Sequence, residues 1–167
     1  MIRVLFASLG LAALVSGCRI SLDEEAQEST VCKVSTTNAD CQAAPDHSEL
    51  AWIEANVFEK SCTFSGCHNG MATDAGRLNL KVGQAHQSLV DVDSDVEPGR
   101  KLVVANQPLQ SYLLVMLRQV TPAMADPPVG EPPDDVGYMP QNAGGAVLCC
   151  QKLDAIQRWI EAGALNN

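Results

Sequence analysis

Basic residues are scarce in this chain. Lysine and arginine together number 11 against 20 aspartates and glutamates, a formal net charge of −9 over 167 residues. That balance argues against a nucleic-acid partner and against electrostatic attachment to a bilayer. It is compatible with docking to a basic protein, and equally with plain solubility. Aromatic residues make up 4% of the chain, so little flat apolar surface is available to fill a core. There is no internal repeat. No apolar run is long enough for a spanning helix: the one from Val4 to Val15 covers about a dozen residues. Asp91, Asp93, Asp95 and Glu97 alternate with other residues, but the stretch lacks the glycine and the terminal bidentate glutamate of an EF-hand and reads as a polar loop.

What is present begins at the N-terminus. Arg3, the apolar run Val4 to Val15 and the small residues before Cys18 (Leu14-Val15-Ser16-Gly17-Cys18) resemble the signal and lipobox of bacterial lipoproteins. The resemblance implies cleavage of a signal peptide at residues 1–17, acylation of Cys18 and export to the cell envelope. Arg19 stands where the enteric inner-membrane retention signal has Asp, which favours the outer membrane. A plain signal peptide followed by an incidental cysteine is the bland reading. Loss of residues 1–17 removes Arg3 and no acid, so the mature chain carries ten basic against 20 acidic side chains. Residues 18–46 are polar and rich in Ser, Thr, Asn and Ala, and read as a lipid-anchored flexible tether. Residues 47–167 form one domain.

Seven cysteines in an exported chain need partners. Cys62-Thr-Phe-Ser-Gly-Cys67-His68 is the most telling stretch. Two thiols followed at once by a histidine can hold haem c, the thiols as thioethers to its vinyl groups and the imidazole as the proximal iron ligand. The usual motif is C-x-x-C-H; here four residues separate the thiols. The bland reading of all three residues is an ordinary disulfide beside a surface histidine. Cys32, Cys41, Cys149 and Cys150 remain, consistent with two disulfides in any of three connectivities. A bridge between neighbours Cys149 and Cys150 would be a strained ring. The favoured arrangement bonds each of them to one of Cys32 and Cys41, stapling the N-terminal arm to the C-terminal helix. Six cysteines without haem also pair completely, in one of fifteen ways.

Hydrophobic spacing places the helices. Leu50, Ile53, Val57 and Phe58 predict one over 48–61, ending at the Cys62 motif. Gly83 to Val90 predicts a short helix carrying His86. Pro108 starts another, whose stripe is Leu109, Tyr112, Leu113, Met116, Leu117 and Val120. Residues 121–147 hold six of the nine prolines and four glycines and read as a long loop. Leu153, Ile156, Trp159 and Ile160 predict a last helix over 150–162, closed by Gly163.

Phe58, Gly66-Cys67-His68, Gly76-Arg77-Leu78-Asn79-Leu80, Pro108 with Ser111-Tyr112-Leu113, Met139-Pro140 and Trp159-Ile160 with Gly163-Ala164 follow in the order found in divergent class I c-type cytochrome domains. The resemblance covers roughly residues 48–164. It implies a mostly α, class I cytochrome c-like helical fold with long loops. It also implies covalent haem on Cys62 and Cys67, His68 as proximal ligand and a loop methionine as distal ligand. Met139 is that methionine: its thioether is a soft donor and Pro140 stiffens the backbone beside it. Met124 is second, Met116 reads as core filler, and His86 and His47 are bis-histidine alternatives that read first as surface residues. Arg77, Arg100 and Lys101 are candidates for the haem propionates, with solvated surface charge as their default. The expected function is one-electron transfer to a redox partner protein, with no enzyme activity and no small-molecule substrate. A single Cys-His motif argues against a peroxidase. The alternative is a haem-free, disulfide-stapled surface lipoprotein with a structural or adhesion role.

Overall fold

Leu50, Ile53, Val57 and Phe58 are almost completely buried, and their spacing winds residues 50–61 into one helical stretch. In this computed structural model, which describes residues 32–64, 67–70, 78–141 and 148–167, that stretch is α2 (Leu50–Ile53), a π-helical segment (Glu54–Phe58) and α3 (Glu59–Ser61). Asn167 caps its start: the Leu50 amide donates to Asn167 Oδ1 at 3.0 Å and the Ala51 amide to Asn167 O at 2.8 Å. Before it lie α1 (Ala39–Ala43), capped by Asn38, and a 3-10 turn (Ala44–Asp46). After it come α4 (Ala85–Leu89), α5 (Tyr112–Met116) and α6 (Cys150–Glu161).

The fold is mostly α. The described residues contain no sheet, only isolated bridges such as Val90 with Val103 and Lys101 with Ser111. α6 buries Leu153, Ile156, Trp159 and Ile160 as its spacing requires, and ends where Gly163 takes φ +100°. α5 is shorter than its stripe implies. All its residues are buried, so it is the central element and not an amphipathic surface helix. Arg118 turns to φ +61°, and the amides of Gln119 and Val120 both return to the Leu114 carbonyl.

The arm before α2 is fastened to α6. Cys32 bonds Cys150 and Cys41 bonds Cys149, as the favoured arrangement of the four cysteines required. Gln151 exchanges two hydrogen bonds with the Ser35 backbone, and Arg158 donates to the carbonyls of Ala44 and His47. Residues 39–46 are therefore helical and packed, with Cys41 and Ala44 buried. Cys18, the signal segment and residues up to 31 lie outside the described residues, as do Gly66, Gly76 and Arg77.

The proline-rich loop is pinned to the core over most of its length. A 3-10 turn (Pro122–Met124) opens it, and the Asp126 amide donates to Leu109 O. Arg100 donates to the carbonyls of Asp126 and Pro127. Arg100 is 8% exposed, so its default reading as a solvated surface charge is corrected: it is a buried clamp on this loop.

Candidate functional site

The helix at 50–61 delivers Cys62 to the core edge. Its amide closes the last turn onto Phe58 O at 2.7 Å. The chain then doubles back: the Cys67 amide donates to Phe64 O and the His68 amide to Cys62 O at 2.9 Å. That second bond sets the start of the motif against its end despite the wider cysteine spacing. The His68 carbonyl accepts from the Leu80 amide, and Asn69 bridges Asn79. Gly70 has φ +77°, and a side chain there would meet Asn79 at 2.9 Å. So residues 79 and 80 hold the backbone of His68 and Asn69.

Cys62 and Cys67 are both free thiols and both half-buried. Cys62 also packs against the hydrophobic core. Burial pushes its thiol up to about 12, the neighbouring Cys67 adds to the rise, and the Lys152 ammonium opposes it. Lys152 is 6% exposed, with Nζ donating to Asn56 O at 2.6 Å and facing Asp40 Oδ2 at 3.4 Å. Asp40 also pairs with Lys60 at 2.8 Å, and this bond is the main reason its carboxyl sits below the usual value; Lys152 contributes less.

Met139 is half-buried against the same core as Cys62. Its amide donates to Met116 O at 2.9 Å, which ties the loop to the end of α5. The preceding Tyr138 lies under the Arg118 guanidinium, 4.4 Å from Cζ to ring centre, and its hydroxyl donates to Glu131. Met116 is buried core, and Met124 is 62% exposed. The other histidines are otherwise engaged. His86 Nε2 meets Ala164 O at 3.1 Å, and His47 bonds Glu49 and stacks on Trp52. His86 is half-buried, not a surface residue as read from its context. Lys101 pairs with Asp93.

Three residues shape this region through partners that no sequence pattern singles out. Glu54, 4% exposed, accepts the amides of Gly83 and Ala85 with its two oxygens and so fixes the start of α4. Lys152 and Arg100 are the others. Each is a charged residue that bonds to backbone groups 26 to 96 positions away, and no local spacing reports such a partner.

Cys62, Cys67, His68 and Met139 are of the donor types that a thioether-linked porphyrin requires. Two unbridged thiols precede the imidazole in sequence, and the Met139 thioether packs against the same core as Cys62. Two buried polar groups, Arg100 Nε and Tyr112 OH, have no hydrogen-bond partner among the described residues. Among the described residues, no group of three or more His, Cys, Asp or Glu is gathered to bind a bare metal ion, and no helix is long and apolar enough to cross a membrane. No family model, no curated protein and no solved structure matches this chain.

Proposed function

We propose that this protein is an electron carrier of the bacterial cell envelope: a lipid-anchored, monohaem c-type cytochrome with a class I-like fold. The observation that carries the reading is the partition of sulfur. Of the six cysteines among the described residues, four use one another up in two bridges, and the two left free are the pair that runs directly into His68. In an oxidising compartment two neighbouring thiols are expected to bridge unless another chemistry claims them.

On this reading Cys62 and Cys67 would hold the haem covalently, and His68 and Met139 would ligate its iron. Bound there, haem c supplies a one-electron couple, and His/Met ligation sets it toward higher potential. The protein's own part is to hold and to exclude water. The backbone bond from the His68 amide to Cys62 O keeps residue 68 close to the start of the motif. The bond from Met139 to Met116 keeps the thioether against the core. Leu50, Val57, Phe58 and Leu153 belong to the apolar core against which Cys62 and Met139 pack. No substrate bond is made or broken, so no general acid or base is needed. The acidic surface suits a basic redox partner, and Cys18 supplies the anchor.

Export of the full chain in a host with a c-type haem maturation system tests this. The expected product shows a Soret band and a haem stain that survives denaturing electrophoresis. The Cys62→Ala/Cys67→Ala variant loses both. A colourless wild-type product in which Cys62 and Cys67 are bridged would establish the haem-free stapled lipoprotein instead.

A further inference from the structure

We propose that the proline-rich loop and the 3-10 turn Pro108–Gln110 together form a docking face for a basic partner protein, with Leu109 and Met124 at its centre and carboxylates at its rim. That this partner gives or takes an electron rests on the electron-carrier reading above. The face itself does not.

Leu109 is 43% exposed and Met124 is 62% exposed. The core does not claim Leu109, because the buried run of α5 starts only at Tyr112. The Asp126 amide donates to Leu109 O at 2.9 Å, which sets the turn Pro122–Met124 beside the turn Pro108–Gln110. Ala123, Pro127 and Pro128 are exposed alongside. The other large exposed apolar residues, Val34, Phe64, Val82 and Leu165, lie on separate segments. Such residues are ordinary when single, whereas an apolar patch marks a contact site. This one is also held in shape. The amides of Met124 and Ala125 donate to Thr121 O, the Val129 amide donates to Pro122 O, and Arg100 grips the carbonyls of Asp126 and Pro127. A face fixed beforehand loses little entropy on docking, and a methionine at its centre adapts to the side chain it meets.

Charge decides what covers it. Residues 121–141 carry Asp126, Glu131, Asp134 and Asp135, all exposed, and no lysine, arginine or histidine. The neighbouring cations are committed elsewhere. Arg100 is buried beneath the loop on backbone carbonyls, and Lys101 pairs with Asp93 at 2.6 Å. Arg118 lies over the Tyr138 ring, whose hydroxyl donates to Glu131, so it offsets that carboxylate and leaves Asp126, Asp134 and Asp135 in surplus. A second copy of this chain would set the same acids against these, and an anionic lipid surface would be repelled likewise. A protein that offers an apolar side chain ringed by lysine and arginine matches both the centre and the rim.

A synthetic peptide with lysines on both sides of a central leucine–phenylalanine pair is the probe, titrated into the exported, nitrogen-15-labelled full chain. Amide shift changes are expected at residues 109–110 and 121–131, and binding is expected to weaken as salt rises. Leu109→Ser/Met124→Ser, which leaves the charge unchanged, should weaken binding about tenfold. Asp126→Asn/Asp134→Asn/Asp135→Asn should weaken it and flatten the salt dependence. Glu59→Gln/Asp154→Asn/Glu161→Gln removes three exposed acids from other segments and should bind as wild type does. All the changes are at exposed positions, and an unchanged denaturant midpoint confirms that each variant is folded. Equal losses from the two acid triples, or full binding by the serine pair, overturns the proposal. So does a wild-type dimer in sedimentation, or wild-type adhesion to anionic vesicles, that the serine pair abolishes. Haem is read separately from absorbance: a colourless product that binds the peptide at these residues keeps the face and removes the electron carrier.

Discussion

Glu54 and Asp40 show how this chain spends its acidic residues. Glu54 sits in the π-helical segment with both oxygens accepting backbone amides, at 2.7 Å from Gly83 and 3.0 Å from Ala85. An amide in its place can accept at one oxygen only and would set an N–H against the second donor. Glu54→Gln is therefore expected to cost about 2 kcal/mol, the worth of a buried charge-assisted bond, and the shift in denaturant midpoint measures it. Asp40 works differently, as a partner shared by Lys60 and Lys152. Its folded carboxyl is held below the ordinary value of 3.8, chiefly by the Lys60 bond. The linked stability is present above that value and is lost as pH falls through the depressed folded pKa. Wild type is expected to outlast Asp40→Asn in denaturant at pH 6, and the gap should close in strong acid. A gap that persists at low pH would show that packing, not charge, is at work.

The elements differ in how openly the sequence declares them. The helices at 50–61 and 150–161 were legible because each buries one stripe and shows the other side to water, so the 3.6-residue period is visible. α5 was overdrawn, because a segment buried on every side has no polar face to mark its end, and the left-handed turn at Arg118 leaves no periodic trace. α1 was missed within a polar tether because its anchors are Cys41 and Ala44, not a run of large apolar residues. The staple was legible from cysteine arithmetic, but its energetics follow from the connectivity. The first bridge closes a loop of over 100 residues; with it in place, the second closes only the short ring through Cys32–Cys41 and Cys149–Cys150. In the chain-entropy picture these steps are worth about 5 and about 3 kcal/mol. Replacing either pair by serine is then expected to cost about 3 kcal/mol, and replacing all four about 8 kcal/mol, more than the two single losses combined. Simple additivity in equilibrium unfolding would contradict this.

At the scale of the whole molecule, the candidate site is assembled from segments far apart in the chain. The cysteine–histidine motif could be read directly, since its chemistry lies in adjacent residues. The surroundings could not: Lys152 finds Asn56 O across 96 positions, and Arg100 reaches the loop that carries Met139. What links motif and loop is the common core, on which Cys62 and Met139 both pack. If Met139 is the distal ligand, Met139→His in the haem-loaded protein lowers the reduction potential. The expected drop is on the order of 0.1–0.3 V, a fraction of the roughly 0.8 V that axial ligation spans. An unchanged potential would shift the role to another residue, with exposed Met124 next in the loop.

The central claim is that Cys62 and Cys67 belong to haem and not to a disulfide. Tandem mass spectrometry of the tryptic peptide following Lys60, from protein exported alongside a haem maturation system, tests it most directly. The account expects that peptide to carry one haem held through both cysteines, with Cys32, Cys41, Cys149 and Cys150 in their two bridges. A haem-free peptide closed by a bond between Cys62 and Cys67 would contradict it.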